Sequence, residues 1–133
     1  MARSLTVAAL LILFSSTQTQ AIDASHWVEV RGGAWHPDST VLAQLDSALE
    51  PAVQAASKNR GQMREWSRYT FQYQGRKSLL GQTYVFVNAF CAAESADLRT
   101  KWMEVEDGGA CYFSAKYDPK ANRVYDVQVN GVA

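Results

Sequence analysis

Two cysteines, two histidines and a few clustered acids are the residues of this 133-residue chain that could do chemistry. Cys91 and Cys111 stand twenty apart with no histidine between them, which is not the ligand set of a zinc module. In an oxidising compartment such a pair closes one disulfide, and a loop of that length contributes roughly 3 kcal/mol in the chain-entropy model. His26 and His36 are the only imidazoles. With Asp38 they suggest a facial metal site, and a metal-dependent enzyme using His26 and His36 is one alternative, but their spacing matches no helical or hairpin ligand pattern. Glu104, Glu106 and Asp107 lack the spaced oxygen ligands of a calcium loop, and beside Asp107-Gly108-Gly109 they read as a solvated turn. No serine sits in a nucleophile elbow, and a disulfide consumes the thiols. The inventory predicts a protein that is not an enzyme and needs neither cofactor nor metal.

Residues suited to binding are more plentiful. The stretch "KNRGQMREWSRYTFQYQGRK" carries Lys58, Arg60, Arg64, Arg68, Arg76 and Lys77 against Glu65 alone, interleaved with Trp66, Tyr69, Phe71 and Tyr73. Alternating cations and aromatics can line a groove for single-stranded nucleic acid. On a strand, however, the aromatics turn to the core and the cations to water, so nucleic acid is not the expected partner. An acidic glycan or envelope polymer is a variant of the same reading. The candidate binding surface comprises Trp66, Arg68, Arg76, Lys77, Tyr84 and Phe86, facing a protein or small-molecule ligand. The four tryptophans, Trp27, Trp35, Trp66 and Trp102, divide between core and surface, most of them core in a domain this small.

The elements that must hold these residues follow from the patterning. Arg3, the apolar run Leu5 to Phe14 and the small residue Ala21 describe a secretory signal peptide over residues 1–21. The run is shorter than the roughly 20 residues of a membrane span. Residues 22–133 then form one secreted or periplasmic domain without a membrane span, with 12 Lys and Arg against 13 acids. That balance supplies no global attraction to nucleic acid or to an anionic membrane.

"HWVEVRGGAW" predicts a first strand bent at Gly32-Gly33, and "HPDST" a helix start. Val41, Leu42, Leu45, Ala48, Leu49, Ala52, Val53 and Ala56 fall within an arc of about 140°, giving one amphipathic helix over 39–59 with Pro51 on its solvent side. Asp46 is placed with the polar residues. From Trp66 the period is two. Tyr69, Phe71 and Tyr73 share one strand face, and "QTYVFVNAFC" is apolar on both, so it is central or covered by a loop or partner. A homodimer through the sheet face is the assembly such a strand allows. "ESADLRTKW" suggests a short helix with Leu98 and Trp102 four apart. "ACYFSAKY" and "RVYDVQV" are two further strands around the turn "DPKAN", where Asn122 tolerates positive φ.

The expected fold is α+β, with one long amphipathic helix packed on a four- to five-stranded antiparallel sheet. This order, β-α-β-β, an appended segment at 92–108, then β-β, resembles the cystatin and monellin-like folds over residues 26–131. A cone of the nuclear-transport-factor-2 type is the alternative. The resemblance implies a cysteine-protease inhibitor of cystatin type. The inhibitor motifs match poorly: the first hairpin loop reads "QGRKSLLGQ" in place of Gln-x-Val-x-Gly, and "DPKAN" has proline without tryptophan.

Overall fold

The computed structural model describes residues 11–14, 22, 25–58, 63–91, 97–104 and 109–130. Its elements are β1 (Trp27–Glu29), α1 (Ser39–Ala56), β2 (Thr70–Lys77), β3 (Thr83–Phe90), β4 (Tyr112–Asp118) and β5 (Arg123–Val129), with 3-10 turns at Trp66–Arg68 and Gly109–Cys111. The five strands lie in one sheet in chain order. This is the expected α+β architecture, with one correction. β1 runs parallel to β2, while the other three pairings are antiparallel. A strand followed by a helix that returns along the sheet must re-enter in its original direction, so the β1-α1-β2 crossover dictates the parallel pair.

The helix starts where the sequence marks it. Asp38 caps it by accepting from the Val41 amide at 2.9 Å, and Ser57 closes it with its amide on the Val53 carbonyl at 2.9 Å. It ends at Ala56, short of the expected residue 59, because Ser57 and Lys58 already form a turn. Pro51 lies inside the helix and is exposed, so its missing amide and its ring face water. Leu42, Leu45, Leu49 and Val53 are buried and meet Phe71, Tyr73, Val85, Val87, Phe113, Ala115 and Tyr117 from the sheet in a single core. The helix runs closest to β5.

Two devices fix the sheet's margins. Gly75 in β2 lies under Trp35, where an added Cβ would come within 2.2 Å of the Trp35 carbonyl oxygen. The Trp35 indole N–H then reaches the carbonyls of Arg76 at 3.0 Å and Tyr84 at 3.3 Å, tying the first loop to the base of the β2–β3 hairpin. At the opposite margin, the β4–β5 register shifts between Ser114 and Lys116, and Asp126 takes a positive φ of 51°. Asn122 has φ 47° in the β4–β5 turn, as its residue type suggested, and accepts from the Tyr117 hydroxyl at 2.6 Å.

Cys91 and Cys111 form the expected disulfide, joining the end of β3 to the start of β4, with Cα atoms 5.2 Å apart. The Cys91 amide also donates to the Cys111 carbonyl at 3.1 Å, so the bridge continues the β3–β4 ladder. The turn expected at Asp107-Gly108 lies outside the described residues, as does the first half of the short helix expected near Ser95. The second half, residues 97–101, is a turn built on Asp97, whose carbonyl accepts from the amides of Thr100 and Lys101.

Candidate functional site: the outer face of the sheet

The helix covers one face of the sheet, and the residues of alternate parity point to the other. On β2 these are Gln72, Gln74 and Arg76; on β3 Tyr84, Phe86 and Asn88; on β4 Ser114 and Lys116. The chain itself covers half of this outer face. Residues 97–103 cross it, held chiefly by Gln72, with Asn88 and the Arg31 amide adding one hydrogen bond each. Gln72 is fully buried, and its amide group donates to the carbonyls of Leu98 at 2.8 Å and Lys101 at 2.7 Å. Its oxygen accepts from the Met103 amide at 2.8 Å and the Asn88 amide group at 3.2 Å. Asn88 donates in turn to the Met103 carbonyl at 2.7 Å. The loop therefore covers the Asn88 end of the outer side of β3 and touches its apolar part only where Trp102 meets Phe86; Tyr84 and Phe86 are left half-buried.

Among the described residues no segment crosses the other half, where the side chains are half-buried. Arg76 lies with its guanidinium carbon 4.2 Å from the Phe86 ring centre and 5.1 Å from that of Trp102, and the two rings meet edge to face at 5.3 Å. Its Nε donates to Gln74 Oε1 at 2.9 Å, and Gln74 is anchored through its amide group to the Arg31 carbonyl at 2.8 Å. Among the described residues no carboxylate lies within ion-pairing distance of Arg76. The guanidinium is held in place, and among the described residues its terminal N–H groups have no hydrogen-bond partner, an arrangement suited to a planar anion. Beside it, the Lys116 ammonium lies 5.6 Å from the Tyr84 ring and pairs with Asp126 at 2.9 Å. That hydrogen bond holds the Lys116 pKa above and the Asp126 pKa below the usual ranges.

Below these residues the two hairpins stand side by side. Ser78, Gln82, Thr83 and Tyr84 face Asp118, Lys120 and Tyr125 across a cleft of about 100 Å³. The tip of the β2–β3 hairpin is Ser78-Leu79-Leu80-Gly81. The Gly81 amide donates to the Ser78 carbonyl at 2.9 Å, and the Gln82 amide to Ser78 Oγ at 3.1 Å.

Of the residues expected at the binding surface, Arg76, Tyr84 and Phe86 come together here, with Lys77 exposed at the strand end. Trp66 and Arg68 do not join them. Trp66 packs on Tyr69, Phe71 and Phe113 on the helix side, and Arg68 is exposed on the same 3-10 turn. Trp102, Lys116 and Gln74 belong to the site and were not expected there. Trp102 reaches it only because the loop folds back over the sheet, and no local signal in the sequence records that return.

The histidines are engaged separately. His26 Nδ1 lies 3.0 Å from the Tyr69 carbonyl, and His36 Nδ1 lies 2.5 Å from Glu29 Oε1. The His26 backbone is level with Phe71, whereas Trp35, the chain neighbour of His36, is level with Gly75, four positions farther along β2 or about 13 Å. Among the described residues no group of three or more His, Cys, Asp or Glu is arranged to hold a metal ion. On the helix, Asp46 accepts hydrogen bonds from the side chains of Trp27 and Trp66, while burial raises its pKa above the ordinary 3.8. No family model, curated protein or solved structure matches the chain.

Proposed function

We propose that the protein is a non-enzymatic binding module that takes an anionic partner on the half of its outer sheet face that holds Arg76. One observation carries this reading: the Arg76 guanidinium, stacked on Phe86 and Trp102 and tethered by Gln74, has no carboxylate partner among the described residues. An arginine needed only to cover apolar surface would be expected to share its charge with one of the chain's 13 acids. Here the positioning cost is already met and the donors remain available, which favours binding over packing.

The module is exported in this reading, its leader being residues 1–21. The exposed run Leu11 to Phe14 supports that assignment, and the disulfide suits an oxidising compartment, secreted or periplasmic. The element order supports a cystatin-like arrangement as the finer description of the fold. A cysteine-protease inhibitor of cystatin type is the second reading. It is favoured by the adjacent hairpin tips and by the bare Leu79 and Leu80 on the first of them.

The test is titration of the mature protein with a polyuronate and with a polyglutamate at low and moderate salt. The expected result is salt-sensitive binding of at least one of them, weakened about tenfold by Arg76→Gln. Arg76→Lys should restore little, because an ammonium cannot form the paired hydrogen bonds of a guanidinium. Absence of binding to either polyanion defeats the proposal. Inhibition of a papain-like protease on titration would promote the second reading instead.

A further inference from the structure

The β2–β3 hairpin ends in a feature that stability does not explain. Leu79 and Leu80 are 107% and 90% exposed, while every leucine of the helix is buried. They occupy the two central positions of a tight turn, where Asp, Asn, Pro or Gly are the usual residues. The turn is a stiff one. Gly81 follows with φ 80° and open space around it, the Ser78 amide donates to the Gln82 carbonyl at 2.8 Å, and Trp35 clamps the hairpin base. The leucines are thus held out into solvent by a structured support.

What surrounds them is positive. Arg76 and Lys77 lead into the tip, and Lys120 and Arg123 stand on the neighbouring hairpin at the same end of the sheet. None of these four forms an ion pair among the described residues. Of the two acids nearby, Asp126 is taken by Lys116, and Asp118 caps its own turn by accepting from the Lys120 and Ala121 amides. Residues 76–84 and 116–126 together carry five cations and two acids, on a chain whose formal charge is zero. Tyr84 and Tyr125 lie just behind the tips, lining the cleft between them. Two leucines in front, tyrosines about 10 Å behind along the strands and cations at the rim reproduce the layering of an interfacial anchor: apolar in the acyl region, aromatic at the headgroups, basic at the anionic surface.

We propose that this end of the sheet docks on an anionic lipid surface, with Leu79 and Leu80 inserted, Lys77, Lys120 and Arg123 on the headgroups, and Arg76 behind them on the sheet face. The inference rests on the anionic-partner reading above and narrows the partner to a bilayer. Two leucines and three cations at the rim give reversible, peripheral attachment and not a permanent anchor.

Co-sedimentation of the mature protein with vesicles tests it, using phosphatidylcholine alone and phosphatidylcholine mixed with phosphatidylglycerol. Binding is expected to the mixed vesicles only. Lys77→Ser with Lys120→Ser should weaken it about fivefold per cation removed. Leu79→Ser with Leu80→Ser should weaken it at least tenfold and make the remainder wholly salt-labile. Because these leucines are fully exposed, that variant should melt as the parent does, which separates lost docking from lost folding. If the parent binds soluble polyanions but not vesicles, the bilayer inference falls and the anionic-partner reading stands. If neither is bound, both fall. Vesicle binding that ignores the leucine pair overturns the inserted tip, and leucine-dependent protease inhibition without vesicle binding assigns the tip to a protein cleft.

Discussion

Asp46 shows how a single residue can be misplaced by a pattern that is otherwise right. On the helical wheel it falls about 20° beyond Val53, at the border of the apolar stripe, and its charge assigned it to the solvent side. The structure leaves it half-buried instead, because the indoles of Trp27 and Trp66 turn toward it as hydrogen-bond donors. Both tryptophans are remote in sequence, so the wheel could not record them. Burial is the largest influence on this carboxyl and raises its pKa; the two hydrogen bonds act in the opposite sense. Between 3.8 and the raised native value, the folded protein holds the proton more tightly than the unfolded chain does. This group therefore adds stability as the pH falls through that window. Asp46→Asn should abolish the acid-side gain and leave neutral stability equal or slightly higher. Asp46→Ala should cost about 1–3 kcal/mol by stranding two indole donors. Urea denaturation at several pH values distinguishes these outcomes.

Among the elements, the helix cap, the β2 alternation and the "DPKAN" turn were all legible, since each is written in neighbouring residues. The direction of β1 was not, because pairing with β2 depends on where the helix returns and not on the strand's own three residues. The loop 97–103 was less legible still. Gln72 and Gln74 alternate with aromatics and so resemble a wet strand face, yet Gln72 is fully buried and Gln74 nearly so. The only hint lay across the ladder, where β3 is apolar on the side that these glutamines share. Gln72 supplies four of the hydrogen bonds that seat the loop and Asn88. Gln72→Leu keeps the volume and removes all four. It should cost at least about 1–3 kcal/mol, and amide exchange across residues 98–103 should accelerate while the helix stays protected.

For the molecule as a whole, the two-layer plan followed from element order, and the disulfide from two thiols in a chain with a leader-like start. The candidate site on the outer face followed only in part. Arg76, Tyr84 and Phe86 are neighbours by strand register, whereas Trp102 and Lys116 arrive through the loop and β4.

The positive φ at Asp126 has a consequence beyond its own hydrogen bonds. β5 is an outermost strand, and a straight one would offer a row of unpaired amides and carbonyls to any passing chain. Its irregular pairing with β4 and the left-handed residue break that row in the middle, and Lys116 holds the break. Asp126→Val, which strains this backbone and removes the pairing charge, should drive concentration-dependent self-association detectable by sedimentation velocity. A domain whose β5 edge is interrupted in this way can be concentrated without stitching itself into fibrils along that strand.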